Sequence, residues 1–121
     1  MENVRKNLRG FGVVLVVLFF SGVNAFAGLN EDLLNAAKNG NINKAKTLIS
    51  KGANANAKEK DGGTALMFAA EEGYPDIVKL LIDKGANVNA KDKKGKTALM
   101  YAKKNGYTDV IKFLKAHGAK E

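Results

Sequence analysis

Four lysines, Lys91, Lys93, Lys94 and Lys96, crowd one connector that reads KDKKGK. Ammonium groups gathered this way attract carboxylates, phosphates or anionic head groups, but without the rigid fork that lets a guanidinium choose among them. Chemistry beyond attraction lacks its parts. His117 is the only histidine and there is no cysteine, so histidine or thiolate metal sites have almost nothing to be built from. A histidine-dependent nucleophile is equally short of partners. The chain also has no Gly-x-Ser-x-Gly elbow and no complete Gly-x-x-x-x-Gly-Lys-Ser/Thr phosphate loop. An enzyme is not expected, and neither a cofactor nor a metal is implied.

The basic connector is one of a pair. GANVNAKDKKGKTA at 85–98 repeats GANANAKEKDGGTA at 52–65, 33 positions earlier. A period of that length is the signature of a repeat architecture. In register, 33–60, 66–93 and 99–121 align without a gap. Within the middle unit, TALMFAAEEG reads as a short helix: Thr64 caps its first free N–H groups, Leu66, Ala69 and Ala70 share a face, and Gly73 ends it. Gly40 and Gly106 repeat the stop. YPDIVKLLIDKG reads as a second helix, with Pro75 at its first position, Asp76 in its positive first turn, and Ile77, Val78, Leu81 and Ile82 forming the apolar stripe. GANVNAKDKKGK, rich in Gly, Asn, Asp and Lys, is a turn-forming connector. The acids Glu71, Glu72, Asp76, Asp83 and Asp109 thus fall at helix ends, where the repeat itself accounts for them. His117 falls at the negative end of the last helix, and Phe68, Tyr74, Tyr101 and Tyr107 read as packing or helix-end contacts.

This pattern resembles the ankyrin repeat. GGTALMFAAEEGYPDIVKLLIDKGANVNA, from Gly62 to Ala90, follows the family's order of loop, first helix, second helix and Gly-Ala-x-Val-Asn-Ala end. The resemblance implies an all-α solenoid of three stacked helix-turn-helix units, about 28–60, 61–93 and 94–121, with projecting loops. Two departures recur: Ala65 and Ala98 stand where the family has proline, and Met67 and Met100 where it has the histidine that bonds between repeats. The end units differ from the middle one in a consistent direction. Lys44 and Thr47 replace Ile77 and Leu80 in the first, and Lys103 and Lys115 replace Ala70 and Ile82 in the last. Polar outer faces are what the ends of a solenoid need, so units one and three are expected to be caps.

The resemblance also implies a protein partner held by the loop tips and the concave first-helix face. The corresponding positions are Lys58, Lys60, Asp61, Gly63, Glu71 and Glu72 around unit two, and Lys91, Lys93, Lys94, Lys96, Lys104 and Asn105 around unit three. Lys38 and Asn39 match them in unit one. Lysines outnumber acids in this set, so a partner with an acidic patch and a monomeric array are expected.

Ahead of the repeats, Arg5, Lys6 and Arg9 precede the apolar run FGVVLVVLFF, and Ala25 and Ala27 have the spacing of a cleavage site. That is the order of a secretory signal peptide over 1–27, cleaved after Ala27, which would send a domain of 28–121 to the periplasm or outside the cell. Without Arg5, Lys6, Arg9 and Glu2, the 20 basic and 12 acidic residues become 17 and 11, a formal +6 carried by lysine alone. Specific nucleic-acid reading favours arginine, so that class ranks low. The other reading is a membrane-surface protein: the leader stays as an anchor and the lysine-rich loops rest on anionic lipid.

Overall fold

The computed structural model describes residues 28–121; the leader expected at 1–27 and its cleavage site lie outside the described residues. Six helices and no strand occur among them. Helix α1 covers 28–39, α2 Ile42–Ser50, α3 Ala65–Glu72, α4 Pro75–Asp83, α5 Ala98–Asn105 and α6 Thr108–Ala116. They pair in sequence into three helix-turn-helix units, the all-α solenoid that the resemblance implied.

Helices of eight or nine residues are too short to persist alone in water. Their stability comes from stacking. α3 and α5, the first helices of units two and three, pack extensively against each other, while α4 touches both α2 and α6 in an outer row. Small side chains let the inner helices approach, with Ala36, Ala37, Ala69, Ala70 and Ala102 all buried. The stripe beside them is bulky: Leu33, Leu66 and Leu99 occupy the same position in the three inner helices and are at most 1% exposed. Burying each such leucine stabilises the fold by about 1.5–3 kcal/mol.

Local signals act where the sequence placed them. The Thr64 hydroxyl accepts the Met67 N–H at 3.2 Å and the Thr97 hydroxyl accepts the Met100 N–H at 3.3 Å. Each cap is worth about 1 kcal/mol. Gly73 and Gly106 end α3 and α5 in the left-handed region, at φ 77° and 73°. Pro75 opens α4, with Asp76 in its first turn. His117 caps α6, and its Nδ1 lies 2.9 Å from the Phe113 carbonyl.

Asparagines tie successive connectors together. The Asn56 amide donates to the Gly85 carbonyl and accepts the Asn87 N–H, and Asn89 does the same with Gly118 and Lys120 one unit later. These bonds hold the projecting loops in one row.

The ends are polar, as the substitutions implied. Lys44 and Thr47 are exposed where Ile77 is buried and Leu80 half-buried. At the other end Lys103 and Lys115 are exposed, and both pair with the Glu121 carboxylate. Those two ammonium groups lower the Glu121 pKa, Lys103 contributing most. The recurring methionines part company here: Met67 is 2% exposed between units, whereas Met100 faces outward at 39%.

Candidate functional site

Each projecting connector closes as a small hairpin. In the first tip Lys58 and Thr64 form an antiparallel bridge, the Glu59 N–H donates to the Gly63 carbonyl, and the Gly62 N–H returns to Glu59. The second tip repeats this, with Asp92 N–H donating to Lys96 and Gly95 N–H to Asp92. The tips are joined: Lys93 N–H donates to the Asp61 carbonyl at 2.9 Å. A Cβ on Gly62 would lie 3.1 Å from the Asp92 Cα, so the two backbones pass in close contact.

This framework exposes Lys58 and Lys60 in the first tip and Lys91, Lys93, Lys94 and Lys96 in the second. None of the six makes an ion pair among the described residues. Two of the acids between them, Glu59 and Asp92, are committed elsewhere. Glu59 pairs at 2.7 Å with Lys38, whose ammonium also lies 4.6 Å from the centre of the Phe68 ring. One Asp92 oxygen accepts the N–H groups of Lys94 and Lys96, each at 2.9 Å, and the other accepts the Tyr101 hydroxyl. That hydroxyl is the main reason the Asp92 pKa is lowered, with burial opposing it and the two amides reinforcing it. Reciprocally, the Asp92 carboxylate pushes Tyr101 up to about 12. Asp61 is exposed, and one of its oxygens accepts the Gly63 N–H.

At the far edge of the inner helices, Glu72, Lys104 and Asn105 are exposed and Glu71 is half-buried. The predicted residues therefore form two groups, one on the tips and one at the ends of α3 and α5. Three of them differ from expectation. Gly63 is buried beneath the Phe68 ring, whose nearest carbon would lie 2.9 Å from a Cβ there, so it offers no contact surface. Lys38 is bound to Glu59, which removes it from the free basic set. The Asn105 amide donates to the Glu71 carbonyl at 2.7 Å and serves the joint between repeats.

The family model for ankyrin repeats matches residues 33–121 in three copies. This chain belongs to the ankyrin repeat family. No curated relative matches it. Ankyrin repeats are generally protein–protein interaction modules and typically not enzymes. Gly95-Lys96-Thr97 carries the last residues of a phosphate loop, yet Ala90 stands where its first glycine would be and the Thr97 hydroxyl is turned onto α5. Among the described residues no three His, Cys, Asp or Glu side chains gather as a metal site would need, and no helix is long and apolar enough to cross a membrane.

Sequence reasoning passed over Glu59, Asp92, Phe68 and Tyr101 as organisers of the surface. The available signal was periodic: an acid at 59 and 92 and an aromatic ring at 68 and 101, each pair 33 residues apart.

Proposed function

We propose that this chain is an exported protein-interaction module that works as a monomer. Residues 1–27 direct export and are removed after Ala27, leaving the ankyrin array in the periplasm or outside the cell. The array holds a partner with an acidic patch through its loop tips and the concave ends of α3 and α5. One observation carries the reading: six lysines project from two joined tips with no ion pair among the described residues, while Glu59 is held by Lys38 and Asp92 by Tyr101. The tips therefore present positive charge on a backbone already held in shape, which lowers the ordering cost of binding.

Exposed charges of this kind chiefly steer encounter. Reversing the exposed Lys93, Lys94 and Lys96 to Glu removes no buried packing and only the distant contact of Lys96 with the Tyr101 ring, so the melting temperature should stay near wild type. Association with the partner recovered by affinity capture should slow about tenfold at low salt and lose most of its salt dependence. Wild-type association rates across salt concentrations would move recognition to Glu71, Glu72 and Lys104. Mass spectrometry of the purified protein tests the export step, with a chain beginning at Gly28 expected and a full-length species extracted only by detergent favouring the anchored reading.

A further inference from the structure

Exposed lysines occupy equivalent positions of the two tips: Lys58 with Lys91, and Lys60 with Lys93. The half-buried rings of Phe68 and Tyr101 also sit one repeat apart, on the packed helices α3 and α5, Phe68 against Gly63 of the first tip and Tyr101 bonded to Asp92 of the second. Each ring has a cation over it, Lys38 at 4.6 Å and Lys96 at 5.9 Å. Two cationic rows and one aromatic row thus share a single spacing, that of neighbouring packed helices, about 8–10 Å.

We propose that these rows hold an acidic, proline-containing segment of the partner in the polyproline II conformation, its carboxylates recurring every third residue as it crosses from one tip to the next. The proposal rests on the reading of the tips as a protein-binding surface and names the kind of segment they take. Three residues advance about 9.3 Å in polyproline II and complete one turn, so residues i and i+3 point the same way at the repeat spacing. A β-strand covers a similar distance in three residues but turns i and i+3 to opposite faces. Proline rings dock on aromatic-lined surfaces, which suits the Phe68 and Tyr101 rings between the lysines and the helix ends. A preformed helix of this type also gives up little conformational freedom on binding.

The test compares two synthetic peptides of one composition, four Glu-Pro-Pro triplets and an isomer with the four glutamates contiguous. Each is titrated into 15N-labelled protein produced from the full-length sequence, and amide shifts are followed. The triplet peptide should move amides of 58–63 and 91–96 and bind about threefold or more tighter than the isomer, the scale expected when one exposed ion-pair row is lost. Lys60→Ala with Lys93→Ala should abolish that preference. Equal binding of the two isomers at the tips would overturn the proposal while leaving an acid-binding surface in place. Shifts at neither tip with either peptide would overturn it together with the reading beneath it. Tighter tip binding by an oligothymidylate of similar charge would also overturn it, assigning the rows to phosphates.

Discussion

Units two and three align residue for residue without a gap, yet the same glycine does different work in each. Gly73 and Gly106 both end a first helix at nearly the same positive φ. A Cβ on Gly73 would lie 2.7 Å from ring carbons of Tyr107 in the next unit, and one on Gly40 would meet Tyr74 in the same way. A Cβ on Gly106 meets nothing within 4 Å, as no tyrosine lies over it among the described residues. Inside the array the glycine is both a turn and the seat of the next unit's aromatic ring; at the end it is only a turn. Gly-to-Ala pairs separate the two roles. Left-handed backbone costs a residue with a Cβ about 1–2 kcal/mol, and overpacking adds about 1–3 kcal/mol. Gly106→Ala should therefore lower stability by about 1 kcal/mol and Gly73→Ala by about 3 kcal/mol. Equal losses in denaturant melts would show that Tyr107 moves aside freely and that the seat contributes nothing.

The tips sharpen the contrast. Phe68 in unit two faces a tip whose acid, Glu59, is held by Lys38, whereas Tyr101 in unit three bonds the tip acid directly. Tyr101→Phe makes the third unit like the second and should cost about 1 kcal/mol near pH 7. The pH dependence has a definite sign. Asp92 has a lowered pKa, so its contribution is present above its ordinary value of 3.8 and fades as pH falls. Tyr101 is raised from 10.0 to about 12, so its contribution is complete below 10 and lost as pH rises through 12. The gap between wild type and Tyr101→Phe should be widest from about pH 4 to 10 and close on either side. A gap equally wide at pH 3 would show that the ionised carboxylate is not the partner.

The smallest effect on stability, but a visible one on association, is expected at the cap. Lys103→Ala and Lys115→Ile restore on unit three the residues that unit two buries or half-buries between neighbours. Exposed substitutions of this kind change stability by about 0.5 kcal/mol or less. Removing both partners of Glu121 and opening an apolar stacking face should nevertheless promote self-association, read by sedimentation or scattering at high concentration. A variant that stays monomeric would mean the lysines are ordinary surface charges.

The parts legible in the sequence were those specified within one repeat. Thr64 and Thr97 cap through neighbours three residues away, Pro75 presets its own φ, and Leu66, Ala69 and Ala70 share a face by helical period alone. Such features depend on local spacing, so the period located the helices, the glycine stops, the polar ends and the lysine-rich tips from residue types only.

What the tertiary structure decided was which partners the side chains of the loops and helix ends took. Glu59 and Asp92 are acids in similar basic loops, but one takes Lys38 from α1, the first helix of the unit before, and the other a tyrosine hydroxyl from the helix that follows. Gly63 matches a variable contact position, yet the Phe68 ring closes over it. Asn105 stands at a surface position, yet its amide reaches back to Glu71. Tyr74 and Tyr107 each precede a second helix and rest on the glycine of the unit before. Side-chain direction and inter-repeat distance settle these pairings. A linear chain specifies neither until its helices have stacked: Lys38 and Glu59 lie 21 residues apart and Asn105 and Glu71 lie 34 apart, and even nearer pairs such as Asp92 and Tyr101 meet only once the loop has closed against its helix.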